Sequence, residues 1–229
     1  MTRSIGSRSA LAALIVLTMG LAAPAALADD QQALVDRARI TVESFAGDAK
    51  MAPMRALLKR AKAVLVVPQM LKAGFILGGA GGSGVLLARG QRGWSAPAFF
   101  NLGAGSIGLQ IGAQSSEVVL LMMTERALDA VLHNRVKLGA ELSAAAGPQG
   151  VGRETATTTN LRDDVYSYSR NKGLFAGASV EGAVIQPDAD ANKAYYGKAV
   201  TPQDIILKRA VSKRDAAALR AALAKAAGG

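Results

Sequence analysis

The sequence contains no cysteine, only one histidine and, beyond its first 28 residues, no apolar run of the roughly 20 residues needed to cross a bilayer as a helix. Each absence closes off a class of chemistry. Without cysteine there is no disulfide, no thiolate metal site, no cysteine nucleophile and no residue to carry an N-terminal lipid. With His133 alone, a multi-histidine zinc centre is excluded, and any serine-histidine-carboxylate triad would have to use that residue. Aromatic residues make up 4% of the chain. Trp94, Tyr166, Tyr168, Tyr195 and Tyr196 therefore read as core or buried-hydroxyl positions before they read as a membrane-interface belt.

A further absence concerns charge of one sign. No acidic residue occurs between Asp48 and Glu117, while Lys50, Arg55, Lys59, Arg60, Lys62, Lys72, Arg89 and Arg92 all fall in that stretch. The chain has 27 Lys and Arg against 17 Asp and Glu, a net charge of +10. Arg3 and Arg8 sit in a basic start, followed by the apolar run from Ala10 to Leu21 and by Ala26-Leu27-Ala28 ahead of Asp29-Asp30. That layout predicts a signal peptide over residues 1–28, cleavage after Ala28 and export to the periplasm. The mature chain, 29–229, is long enough for one domain with a substantial core. Its entire net charge is carried by the acid-free stretch, which points to an anionic partner. Nucleic acid is the poorer candidate, because the basic residues lack interleaved aromatics and the protein is expected to be exported.

Gly79, Gly81 and Gly84 within FILGGAGGSGVLLARG satisfy the G-x-G-x-x-G spacing of dinucleotide-binding folds. In those folds the last glycine opens a helix and an acidic residue follows about 20 positions later; here Val85 to Arg89 reads as a strand and the acid is missing. The spacing recurs at Gly103, Gly105 and Gly108, again before alternating apolar residues. These glycines are read as places where strands bend, bulge or approach one another closely.

Leu34, Ala38, Val42 and Phe45 recur on one helical face, so residues 30–46 read as a helix closed by Gly47. A second helix is expected to start at Pro53 and run through MRALLKRAKA, with Met54, Leu57, Leu58 and Ala61 on one side and Arg55, Lys59 and Lys62 as a basic ridge beside it. From Val64 the pattern becomes β. VLVVP reads as a strand halted by Pro68, followed by a meander of short strands: GFILGGA, GVLLAR, APAFFNLG, IGLQIGAQ and EVVLLMMT. Helices are expected over Glu125–Asn134, at NKAYYG, over Pro202–Arg209 and over Lys213–Ala226, with Leu219 and Leu223 of the last on the sheet. DVYSYSR reads as a strand that sends Tyr166 and Tyr168 to one face.

The series AVLVVPQMLKAGFILGGAGGSGVLLAR, GWSAPAFFNLGAGSIGLQIGAQ, KLGAELSAAAGPQG, VYSYSRNKGLFAGASVEGAVIQPD and AYYGKAVTPQDI resembles the SYLF domain, also called Ysc84 or DUF500. The likeness runs from about residue 31 to the C-terminus. It implies an α+β domain built on a curved antiparallel, partly barrel-like sheet with helices packed around it. It also implies lipid binding: eukaryotic members bind phosphoinositides through an N-terminal amphipathic helix and basic residues, and some join this to actin binding. Export argues against actin as a partner here and shifts the expected lipid to an anionic phospholipid or other phosphorylated headgroup at a peripheral membrane surface.

The expectation is a non-enzymatic lipid-binding domain that needs no cofactor. Its contact residues are expected to be Arg55, Lys59, Arg60 and Lys62, supported by Lys50 and Lys72. An acidic protein partner would suit the same basic patch. An enzyme would have to gather His133, Asp163 and a serine, yet neither Ser83 nor Ser106 lies in G-x-S-x-G. Asp163 and Asp164 with Glu181 could contribute to a metal site, but adjacent carboxylates in a polar stretch read first as turn or strand-start residues.

Overall fold

The glycine-punctuated runs that read as a meander of short strands form two very long ones. The computed structural model describes residues 23–148, 163–171, 174–176 and 182–228. In it β1 spans Ala63–Gly90 and β3 spans Ala98–Met122. They pair antiparallel from Ala63 opposite Met122 to Leu86 opposite Ala98. β2, Gly93–Trp94, closes the hairpin against Arg89 and Gly90. Pro68 does not end β1. It lies within a register shift between Val67 and Met70, where a residue without a donor N–H is tolerated because the ladder is already interrupted.

A straight strand of 28 residues would extend for roughly 90 Å. Here the chain turns back on itself, and the N–H of Arg89 donates to the carbonyl of Lys62 at 2.8 Å. Glycine permits that return at two positions. A Cβ at Gly84 would lie 2.6 Å from the Val66 carbonyl oxygen, and one at Gly82 would overlap the Gln69 carbonyl. Of the glycines singled out by their spacing, Gly84 shows the expected close approach of strands, and Gly82, which the spacing did not single out, shows it too. It is not found at Gly79, Gly81, Gly103 or Gly105, where a Cβ would meet nothing nearer than 3.9 Å.

The remaining strands extend β3 on its free side. β6 (Val165–Asn171) pairs with its second half and β8 (Val184–Pro187) with its first half, both antiparallel. β4 (Val136–Lys137) pairs with β8. On β6 sit β7 (Leu174–Ala176) and the one parallel neighbour, β5 (Ala144–Ala146). The result is one curled sheet of eight strands, as the resemblance implied.

Where VLVV and EVVLLMM lie, both faces of the sheet are covered, which explains why these are nearly continuous apolar runs, without strict alternation. Val64, Val66, Val85, Leu87, Val119 and Leu121 face one cluster, which also holds the buried Tyr166 and Tyr168. Ala63, Leu65, Val67, Leu86, Leu120 and Met122 face the other. On the first side lie α1 (Ala23–Gly47), α2 (Ala52–Leu58), α4 (Ala189–Tyr196) and α6 (Ala217–Ala226). On the second lie α3 (Glu125–His133) and α5 (Pro202–Ile206). Leu34, Ala38, Val42 and Phe45 are all buried, as the stripe predicts. α6 buries Leu219 and Leu223 in the cluster that contains α1 and Trp94. The bond between Ala28 and Asp29 lies near the start of α1, and cleavage there would leave the buried stripe intact; the rest of the expected signal peptide, 1–22, lies outside the described residues. No helix among the described residues is long and apolar enough to cross a membrane.

Side chains finish what backbone pairing leaves open. The outer edge of β3 loses its strand partner at Phe99, and the fully buried Asn192 of α4 takes over. Its Oδ1 accepts from Phe99 N at 3.0 Å, and its Nδ2 donates to the Phe99 and Asp188 carbonyls at 3.2 and 2.7 Å. Across the sheet, Glu117 accepts from Thr41 of α1 at 2.8 Å and pairs with Arg170, which also reaches Ser44. The first acid after the acid-free stretch is thus used internally. Asn192→Ala is expected to lower stability by about 2–3 kcal/mol, since it strands the buried Phe99 N–H. In urea denaturation the midpoint should fall with no change in slope.

Candidate functional site

The six predicted cations do not form one surface, because α2 is shorter than its sequence pattern. Pro53 sits in its first turn as expected, but the helix ends at Leu58. Lys62 N already donates to Met122 O at 2.8 Å, so the chain must enter the sheet four residues beyond the helix. A ridge of Arg55, Lys59 and Lys62 at helical spacing therefore does not exist. Met54, Leu57 and Leu58, the apolar side that a membrane-lying helix would insert, are buried in the core.

Arg55 is half-buried. Its Nη1 donates to the Ala46 and Asp48 carbonyls at 2.9 and 2.7 Å, which closes the C-terminus of α1. Arg89 does the same for α2: its Nη2 donates to Leu58 O at 3.0 Å while the guanidinium lies 4.6 Å from the centre of the Trp94 ring. Lys62 pairs with Glu125 of α3 at 2.9 Å. Lys72 is exposed but lies ten residues along β1 from Lys62, up to roughly 30 Å away. Lys50 is exposed on the short 3-10 turn Ala49–Met51 that Asp48 caps.

Lys59 and Arg60 remain, both exposed just past α2. Next to them is the C-terminal turn of α6. The end of the Lys59 side chain packs beside Gly228, which has a left-handed φ of 77°. An ammonium there is favoured by the partial negative charge of the helix end. Lys225 joins from the last turn of α6. Arg55, Lys59, Arg60 and Lys225 then border a shallow hollow of about 490 Å³. It continues, through Arg55, Lys225 and Ala226, into a groove of about 910 Å³ between α1 and α6. Carboxylates enter only in that groove, where Glu43 is paired with Arg39 at 2.8 Å. Sequence reasoning missed Lys225, since nothing in an alanine-rich terminal helix signals contact with a segment some 165 positions earlier.

Among the described residues His133, Asp163 and a serine are not brought together. His133 ends α3, with Nδ1 2.9 Å from the Asp129 carbonyl and 3.3 Å from its carboxylate. Asp164 lies at the opposite end of that helix, about 13 Å away along a nine-residue helix. It accepts from Thr124 Oγ1 at 2.7 Å and from Ser143 N and Oγ at 3.2 and 3.1 Å, and it pairs with Arg126. Ser83 Oγ donates to Asn101 Oδ1. Asp163 bonds the Tyr166 hydroxyl. Among the described residues no cluster of three or more potential metal ligands exists, and Glu181 and Ser106 lie outside the residues whose side chains are described. The aromatics fall as expected: Trp94, Tyr166, Tyr168 and Tyr195 are buried.

The geometry defines a class: an α+β domain with a curled sheet, helices on both faces and a basic hollow where two helix ends meet. Residues 103–226, more than half of the chain, match the Ysc84 family model, described as "Las17-binding protein actin regulator". Protein YSC84 of Saccharomyces cerevisiae is 36% identical over 72% of this chain and 36% of its own length. LAS seventeen-binding protein 3 of the same yeast is 36% identical over 67% of this chain and 34% of its own. SH3 domain-containing YSC84-like protein 1 of Xenopus laevis is 34% identical over 69% of this chain and 47% of its own. The chain belongs to the Ysc84, or SYLF, family, and it spans about a third to a half of the length of these relatives.

The Asp164 anchor predicts a pH signature. Burial pushes its carboxyl up, but the Thr124 and Ser143 hydrogen bonds and the Arg126 charge together hold it below its ordinary value of 3.8. A depressed carboxyl contributes stability that is complete above the unfolded value and lost as pH falls through the folded one. Asp164→Asn should therefore be less stable than wild type near neutrality. The gap in denaturation midpoint should narrow as pH falls below about 4.

Proposed function

We propose that this chain is an exported, non-enzymatic domain that docks peripherally on anionic phospholipid from the periplasmic side, using the end of the molecule where α2 and α6 meet. Export rests on the leader pattern of residues 1–28. The observation that carries the docking reading is the gathering of Lys59, Arg60 and Lys225 at one end with no ion-pair partner among the described residues. Exposed cations near an anionic surface contribute on the order of 1 kcal/mol each, so these three supply roughly a hundredfold in partitioning. With the apolar side of α2 facing the core, the attraction is electrostatic and is screened by salt.

A second reading draws on the relatives. One is named as binding LAS seventeen, and others as containing an SH3 domain. An acidic protein segment would fit the same cations and the adjoining α1–α6 groove. Actin, named in the family description, would be out of reach of an exported chain.

Flotation of the mature protein with phosphatidylglycerol vesicles at low salt tests the first reading. Replacing Lys59, Arg60 and Lys225 together by Gln should reduce the partition coefficient about a hundredfold, whereas Arg55→Gln should lower stability more than binding. Binding that survives the triple substitution, or capture by an acidic protein from membrane-free extract without any flotation, would overturn the lipid reading. The mass of the exported protein should correspond to a chain beginning at Asp29.

A further inference from the structure

The first and last helices run parallel. Gln32 Nε2 of α1 donates to Asp36 Oδ1 at 3.2 Å and to the Asp215 carbonyl, just before α6, at 3.4 Å. At the far end Arg55, bonded to Ala46 O, borders the groove together with Lys225 and Ala226. The two helices therefore start together and end together, with their dipoles aligned. A helix laid on this pair in the opposite direction meets the opposite partial charge at each end.

The groove of about 910 Å³ between them is uncovered, and its floor of Ala46, Gly47, Ala222 and Ala226 is low and apolar. Ile40 stands beside it. It shares the helical row of Asp36, Glu43 and Gly47, which line the groove, and it is 52% exposed, whereas Leu34, Val35, Val42 and Phe45 of the same helix are buried. A single exposed isoleucine is ordinary; one at the lip of an open apolar groove marks a surface that a partner would cover.

Charge along this face changes sign. Asp29, Asp30 and Asp36 are exposed on the first half of α1, and no Lys or Arg occurs between Arg8 and Arg37. Of the cations near that end, Lys213 is held over the Tyr195 ring at 4.6 Å, Arg220 is half-buried, and Arg214 adjoins Asp215. Beyond the other end stand Lys59, Arg60 and Lys225. None of these three acids and three cations is ion-paired among the described residues. At 1.5 Å per residue Asp30 lies about 15 Å to one side of Ile40 and Gly47 about 10 Å to the other. A two-fold axis beside Ile40 that sets the helices antiparallel thus lays each acidic half on the basic end of the other copy, with the two Ile40 side chains meeting at the centre. The same patch then serves both copies, whereas a parallel arrangement would oppose like charges along the whole face.

We propose that two copies of this chain associate through their α1–α6 grooves, antiparallel about Ile40, and that the pairing covers Lys59, Arg60 and Lys225. The association is independent of the docking reading. Its consequence rests on that reading: the dimer and the vesicle-bound form compete for the same cations.

Sedimentation of the mature protein at low salt without lipid tests the association, and a dimer is expected. Ile40→Asp should raise the dimer dissociation constant at least tenfold and leave Tm unchanged, because that side chain already faces water in the single copy. Asp36→Lys and Lys225→Glu should each weaken the dimer, and the two together should restore it, since the opposed charges are exchanged. In flotation with phosphatidylglycerol vesicles, Ile40→Asp should bind at least as well as wild type. A wild-type chain that stays a monomer at about 100 μM overturns the proposal, as does a dimer indifferent to Ile40→Asp or a charge exchange that restores nothing. A dimer that floats intact overturns the competition. A wild-type dimer that does not float supports the pairing and overturns the lipid reading alone.

Discussion

The return of one long hairpin onto itself sets the positions of the other elements. Lys62 and Arg89 stand at opposite ends of β1, yet they are joined by a backbone hydrogen bond. The contact is possible because Gly82 and Gly84 present no Cβ to the carbonyls of Gln69 and Val66. Where the two ends of the strand meet, at Ala63–Val67 and Val85–Ala88, both faces become interior. One demands cover from α1, α2, α4 and α6, the other from α3 and α5. The short strands β4 to β8 then add to the free side of β3, and Asn192 closes the ladder where they run out.

The same curl decides what becomes of the positive charge. Arg55 and Arg89 are drawn to helix ends whose carbonyls lack intrahelical partners, and Lys62 is turned toward Glu125. Unsatisfied backbone acceptors and a lone carboxylate offer a cation a direct partner that bulk solvent around an exposed patch does not. Of the cations left outside that demand, Lys50 and Lys72 stay exposed elsewhere, while Lys59 and Arg60 meet Lys225 where α2 and α6 end together. The helix-end field there favours Lys59 and Lys225 even without a ligand, so a basic hollow at this point has a structural cause of its own.

Membership in the Ysc84 family, the α+β class and the curled sheet were legible in the order of motifs, and helix faces such as Leu34, Ala38, Val42 and Phe45 in their periodicity. Pro68 and the glycines misled for one reason: a residue that interrupts a strand locally is tolerated inside a long one where the ladder bulges or a second strand crosses close above. The end of α2 was hidden because MRALLKRAKA has unbroken helical propensity, and only the pairing of Lys62 with Met122 terminates it. Of the six cations expected at one site, the basic hollow takes Arg55, Lys59 and Arg60 and adds Lys225, which no local pattern could connect to them.

By itself the sequence determined which segments are apolar on one face or on both, where charge of one sign is unopposed, and which reactive groups are missing altogether, since these are properties of neighbours along the chain. Which glycines carry a strand crossing and which lie bare, which arginines close helix ends and which cations remain available to a partner were decided only by the tertiary structure. Those outcomes depend on distances between residues tens to hundreds of positions apart, and such distances exist only after the hairpin has curled and the last helix has docked beside the first.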